Sequence, residues 1–343
     1  MRHKRITGGV FDHLPYPFFH LHSPYLYFSR TNNGIYLIFC PFRQFSTRTA
    51  KDTGGEEEYV PVRVETVTDN GIGTRAVTLS NAAIGIFRTA PYSATFPQQY
   101  NVECIHDGTA WSLASKIYVG STDASLHAYY PYGKVTFGAN STVTALTVKD
   151  HTADNDFCYA DAPLTAVNNR TPVASFLLKH AYAGLKFSIA CHSTYPLKKC
   201  KLTRIVMQPV TSGKTFYVER SMDISKSAAD AGQLGGSTAS GWSLDTSALA
   251  VGTTGIAQGS TDESISKLFP PQDFEDDTRL ILTIDGSEYS VTIPYKVLKA
   301  LKAGYLSTIS LEIKGMGVDV SGVKVYPWDT SVVPGGDNDA TLD

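Results

Sequence analysis

Asp285-Gly286 sits between two runs that constrain each other. Leu280, Leu282 and Ile284 recur at every second position ahead of it, and Tyr289, Val291 and Ile293 do the same behind it. A period of two sends successive side chains to opposite faces of a strand, and Asp-Gly supplies the positive φ angles of a tight two-residue turn. The segment therefore predicts an antiparallel hairpin with one buried face. The same period returns elsewhere. Leu185, Phe187, Ile189 and Cys191 alternate with Lys186, Ser188 and Ala190, and Val60, Val62 and Val64 alternate with Tyr59, Arg63 and Glu65. Pro61, which has no N–H to give to a ladder, marks that last strand as an edge.

Further short runs with strand character are Ala82–Arg88, Tyr100–Ile105, the Trp111 region, Lys116–Val119, Ser125–Tyr130, Ser141–Val148, Val173–Leu178, Leu202–Met207, Lys214–Glu219, Ile309–Ile313 and Val318–Val325. Turn residues such as Asp107-Gly108 separate them, a spacing typical of β-sandwiches. A chain of 343 residues exceeds the usual single domain of about 100–200. Two β-domains are expected, over 59–170 and 171–329, preceded by a leader outside the fold (1–58) and followed by an acidic, disordered tail (330–343). Ala228–Gly259, rich in Gly, Ser, Thr and Ala, reads as long loops. Val297–Ala303 is the one helical expectation, one or two turns stopping at the permissive Gly304.

Charge narrows the partners. Residues 1–50 hold six Lys/Arg and one acid, and the remainder holds 24 basic against 31 acidic residues. A mildly acidic body argues against nucleic acid as the main partner. The longest convincingly apolar run of the basic segment, Ile35–Phe42, falls far short of the roughly 20 residues that span a bilayer, so no membrane-spanning helix is predicted.

The stretch Asp156–Ile189 reads as a polar loop opening on Asp156-Phe157, an apolar strand, a small-residue corner His180-Ala181-Tyr182-Ala183-Gly184 and a new strand; it is the expected seam between the domains. This arrangement resembles the fimbrillin family of Bacteroidia, the pilus and pilus-tip subunits of those bacteria. Thr74-Arg75-Ala76 ahead of a strand through Ile84-Gly85-Ile86-Phe87 agrees with it. So do Ala128-Tyr129-Tyr130-Pro131-Tyr132 and Leu301-Lys302-Ala303-Gly304-Tyr305 leading into Ile309–Ile313, with an end near Trp328. The resemblance covers residues 59–328 and contains no catalytic motif.

The resemblance implies an all-β chain of two tandem transthyretin-like Greek-key β-sandwich domains, placed at the outer membrane or cell surface in a fimbrium. It implies assembly with other pilus subunits by donor-strand exchange: an arginine-specific protease cuts near the N-terminus, the first strand leaves, and a strand of the next subunit fills the vacated edge. Arg75 is the predicted processing site, with Arg48 and Arg63 as lesser candidates; Arg63 lies inside a predicted strand, and proteases favour exposed loops. It also implies a lipoprotein precursor. Cys40 after Leu37-Ile38-Phe39 is the candidate lipidation site, although Phe39 stands where a small residue is expected; the alternative is an over-extended start upstream of the real protein. Asp329–Asp343 offers only Val332, Val333 and Leu342 as large apolar residues for a C-terminal donor strand, which favours a tip or accessory subunit contributing to adhesion, with a host receptor or glycan as a further partner. The competing reading is a surface carbohydrate-binding module that stacks sugars on Tyr129, Tyr130 and Tyr132, or on Trp111. Against it, such tyrosines commonly cap a sandwich edge with their rings buried.

No enzyme, cofactor or metal site is predicted. The nine histidines are scattered, and H-E-x-x-H, G-x-S-x-G, P-loop and dinucleotide motifs are absent from the sequence. His180 reads as a satisfied turn histidine. Asp273, Glu275, Asp276 and Asp277 lack the spacing of a calcium loop and read as solvated. Paired carboxylates for glycoside hydrolysis are set by fold rather than spacing, and stay open at this stage. Of five cysteines, Cys191 and Cys200 flank a hairpin containing Pro196 and are the candidate disulfide, favoured by an oxidising periplasm. Adjacent His192 adds a third zinc-type ligand but no fourth. Cys104 and Cys158 read as small buried residues.

Overall fold

In the computed structural model of the chain, the Asp-Gly hairpin forms over Thr278–Ile284 and Ser287–Ile293, with Ile284 opposite Ser287. Asp285 and Gly286 carry φ of 47° and 82°, the left-handed pair that this turn requires. Leu280, Leu282 and Ile284 are fully buried. The structure describes residues 29–31, 34–36, 58–69, 77–79, 81–160, 164–226, 235–315, 317–327 and 339–340. The chain separates into two units, Met1–Gly55 and Glu56–Asp343. In the first, Ser29–Thr31 pairs with Gly34–Tyr36. The second carries a nearly all-β fold of sandwich-like sheets.

In chain order its first large sheet uses β1 (Arg63–Asp69), β2 (Val77–Thr78), β3 (Ala83–Ala90), β4 (Gln99–His106), β5 (Trp111–Leu113), β6 (Ala124–Tyr130), β7 (Cys158–Ala160), β8 (Leu164–Val167) and β9 (Val173–His180). The spatial order is β2-β1-β9-β7-β6-β3-β4-β5, with β8 also on β6. The sheet curls until β5 comes back against β1. Val62, Val64, Val67, Ile84, Ile86, Cys104, Trp111, Ile117, Val119, Leu126, Phe176 and Leu178 pack inside the curl.

The rest of the unit is built on β10 (Ala183–Cys191), β11 (Leu202–Pro209), β12 (Trp242–Asp245), β13 (Ser266–Phe269), β14 (Thr278–Ile284), β15 (Ser287–Ile293), β16 (Tyr305–Lys314) and β17 (Gly317–Pro327). One sheet runs β13-β10-β16-β17, extended by Lys149–Asp150 at one side and Asp339–Ala340 at the other; a second runs β12-β11-β14-β15. Leu185, Phe187 and Ile189 of the first and Ile205, Met207, Leu280 and Leu282 of the second share one core. In each half the opening strand lies parallel to a late one: β1 beside β9, and β10 beside β16.

The chain changes sheets at Ala181-Tyr182. Val173–His180, grouped by sequence with residues 171–329, hydrogen-bonds into the first sheet through β1 and β7. Conversely Val143–Thr147, read as a strand of the first half, pairs with Glu219–Asp223, and Lys149–Asp150 pairs with β13. A third cluster of Phe87, Tyr129, Phe157, Tyr159 and Tyr182 with Leu146, Met222 and Leu268 fills the space where the halves meet. The helix expected over Val297–Ala303 is absent. Pro294 O accepts from Val297 and Leu298 N–H in a single turn, after which Ala300–Leu301 pairs with Gln272–Asp273, placing Leu298 and Leu301 in the core.

Candidate assembly edge

The first strand of the curled sheet is held by two lips. Val60 and Pro61 pair with Val119 and Tyr118, and Val62 N–H donates to Ile117 O at 2.7 Å. From Arg63, whose N–H donates to Pro172 O at 2.8 Å, the segment runs parallel to β9. Val64 faces Ala174, but the next partner, Ser175, faces Thr66 rather than Glu65. This extra residue is a bulge, and it re-aims the strand. Val62, Val64 and Val67 point inward, with Val67 fully buried, while Thr66 stays exposed. Among the described residues the strand hydrogen-bonded outside β1 is the two-residue β2, paired through Thr68 and Asp69, while β5 comes back against β1, so β1 sits one short strand from the end of the hydrogen-bonded order. Its attachment consists of ladder hydrogen bonds and three valines in a groove that includes Ile117, Val119, Ala174 and Phe176.

The arginines differ in what a protease could reach. Arg75 and Arg48 lie outside the described residues, as does Cys40. Arg63 is exposed, yet its backbone is committed to the ladder. Arg88 is 1 % exposed; its guanidinium donates to Pro91 O at 2.5 Å and to Pro97 O, and it lies 3.8 Å over the Phe96 ring. Arg170 is exposed, but Asn168 Oδ1 accepts from the N–H groups of Arg170 and Thr171 at 2.9 and 3.1 Å, closing a tight turn unlike the extended backbone a protease binds.

Behind this edge the corner of the chain is locked by its own polar groups. Ala181 N–H donates to Phe157 O at 2.7 Å and Gly304 N–H to Tyr182 O at 2.9 Å. His180, buried, places Nδ1 2.9 Å from Asp156 Oδ1 and 3.4 Å from Cys158 Sγ. Both contacts fall on one ring nitrogen. The three side chains form a polar tie at the corner where β7 meets β9. Sequence reasoning judged His180 a satisfied turn histidine but named neither partner, because Asp156 and Cys158 meet it only across β7 and β9.

Other sequence-nominated residues disperse. Tyr129 is fully buried and donates to Asn101 Oδ1 at 2.7 Å; its ring and that of Tyr132 are tilted by 37°. Tyr130 and Tyr132 are half-buried and Trp111 is buried, so these rings make no flat stacking face. In the acidic run, Glu275 pairs with Lys214 at 3.0 Å, Asp276 accepts from Thr211 N–H and Asp277 from Tyr295 N–H. Glu275 and Asp276 hold the turn at Thr211–Lys214, and Asp277 holds the turn at Tyr295. Cys191 and Cys200 are both buried thiols of one core. Among the described residues no helix is long and apolar enough to cross a membrane.

Comparison with known proteins agrees with this architecture. The profile of the fimbrillin-like family matches residues 68–328. A candidate cell adhesion protein of Bacteroides uniformis is 17 % identical, with 79 % of this chain and 99 % of that one aligned at a TM-score of 0.52. A candidate cell adhesion protein of Bacteroides ovatus is 16 % identical, with 80 % and 100 % aligned at 0.54. At these identities the likeness is one of fold. No curated protein matches.

Proposed function

Because the chain belongs to the fimbrillin-like family, we propose that it is a tip or accessory subunit of a surface pilus, joined to its neighbours when β1 departs and a strand of another subunit takes its place. Family membership carries a place at the cell surface, a structural rather than enzymatic role and other pilus subunits as partners. The strand-exchange step rests on one observation. β1 lies one short strand from the end of the hydrogen-bonded order, and its three inward valines occupy a groove between Ile117–Val119 and β9. Removing it would leave a row of unpaired backbone groups beside an apolar slot, the combination that strand addition satisfies. Cleavage after Arg75, between β1 and β3, would cut the covalent link that holds the strand in place. Contact with a host receptor or glycan is part of the same reading.

The test combines limited digestion by an arginine-specific protease with mass spectrometry and sizing chromatography. Cleavage after Arg75 followed by a ladder of multimers is the expected result. Resistance of Arg75 in the folded protein, or clean cleavage that leaves only monomers, would defeat this route of assembly.

A further inference from the structure

Cys191 ends β10, where it stands opposite Ile313 of β16. Cys200 stands two residues ahead of β11 and pairs with Ile256. The ten residues from one to the other therefore carry the chain from one sheet of the second half to the opposing sheet. A single neighbouring segment brackets both ends of this crossing. Ile256 lies beside Cys200, while Cys191 N–H donates to Ser260 O at 3.0 Å and Cys191 O accepts from Gly259 N–H at 2.7 Å. The crossing loop is fixed as well: Tyr195 N–H donates to His192 O, Tyr195 Oη donates to Asp285 Oδ2 at 2.6 Å, and Lys201 N–H donates to Asp285 Oδ1 at 3.3 Å. Both residues are buried in the same core. Of the other described cysteines, Cys104 lies in the first core and Cys158 at the corner, so each of this pair has only the other within reach.

We propose that Cys191 and Cys200 are a disulfide staple, formed during export by exchange with a thiol oxidoreductase, that ties together the two sheets of the second half. The thiolate of one cysteine attacks the donor's disulfide and displaces one donor thiolate. The second cysteine then attacks the mixed disulfide and displaces the other. Two protons and two electrons pass from the pair to the donor, which leaves as a dithiol. Exchange requires thiolate. Burial, with Cys191 alongside, pushes the Cys200 thiol up, so the bond forms while the chain is still open and, once enclosed, resists reduction. A covalent tie between opposed sheets suits a subunit that bears tension along a fibre.

The test uses the full chain refolded in a buffer of reduced and oxidised glutathione, then denatured, alkylated with iodoacetamide and mapped by mass spectrometry. Two of the five cysteines should escape alkylation, with a peptide containing Cys191 linked to one containing Cys200. Alkylation of both residues, or their linkage to any other cysteine, would overturn the assignment. Oxidised protein should melt about 5–10 °C above the reduced form, as a ten-residue closed loop in a domain of this size predicts. A Cys191→Ala/Cys200→Ala double variant should show no response to reductant. Equal melting of the oxidised and reduced wild type would remove the stapling role. None of these readouts depends on cleavage at Arg75 or on multimers, so they stand apart from the outcome of the assembly test.

Discussion

Shortening Val64 and Val67 to alanine should leave the strand pairing intact and weaken the hold on β1 once the chain is clipped at Arg75. Val62, Val64 and Val67 are 6 %, 5 % and 0 % exposed; at about 1.5–3 kcal/mol for each fully buried valine, they contribute up to about 5–9 kcal/mol to retaining the clipped strand. Each Val→Ala change removes two carbon groups worth about 0.8 kcal/mol apiece and opens a small cavity, so the pair together should cost about 3–4 kcal/mol. If these contacts are lost before the strand departs, the N-terminal fragment should leave about 10²–10³ times faster, at a tenfold change per 1.4 kcal/mol. The assay is digestion with an arginine-specific protease, removal of the protease, and native mass spectrometry of the fragment-bound and fragment-free forms over time. Equal release rates for wild type and variant would refute the account of the valines as the hold on the strand. Instantaneous release from the wild type would refute it too.

Other outcomes follow from buried groups elsewhere. A Cβ on Gly85 would stand 2.0 Å from Tyr129 Cε1, and because that ring is fully buried, Gly85→Ala should cost about 3 kcal/mol in urea unfolding; a shift near zero would mean that the ring moves freely. His127, 2 % exposed, holds Nε2 2.8 Å from Thr89 Oγ1, and burial lowers its pKa to about 4. The unfolded chain then binds a proton that the folded one refuses, so stability should fall by about 3 kcal/mol as pH drops from about 6.5 to about 4, and His127→Gln should flatten that part of the profile. Arg88→Lys keeps the charge but loses the fork that reaches both Pro91 O and Pro97 O, and a lower melting temperature, by about 2–3 kcal/mol of stability, is expected. Wild-type Arg88, buried as it is, should stay uncut while the fold is intact.

Local patterning carried much of this protein. The Asp285-Gly286 hairpin and the alternating face of Leu185–Ile189 follow from period and turn chemistry, both set by neighbours a few residues away. Tertiary structure decided which strands meet. Val143–Thr147 is locally an ordinary strand, and only the surface offered by Glu219–Asp223 drew it across to the other half. Val297–Ala303 has helical spacing, yet burying Leu298 and Leu301 in the second core and pairing Ala300–Leu301 with Gln272–Asp273 outweighs one turn of helix, which is costly to nucleate. The assembly edge divides the same way. Alternation foretold Val62 and Val64, whereas Val67 replaces Thr66 on the inner face because Ser175 of a strand more than a hundred residues away sets the bulge. His180, Asp156 and Cys158 likewise come together only when β7 lies beside β9. Side-chain period is a property of one strand, but register and sheet membership depend on which buried faces find each other across the whole chain.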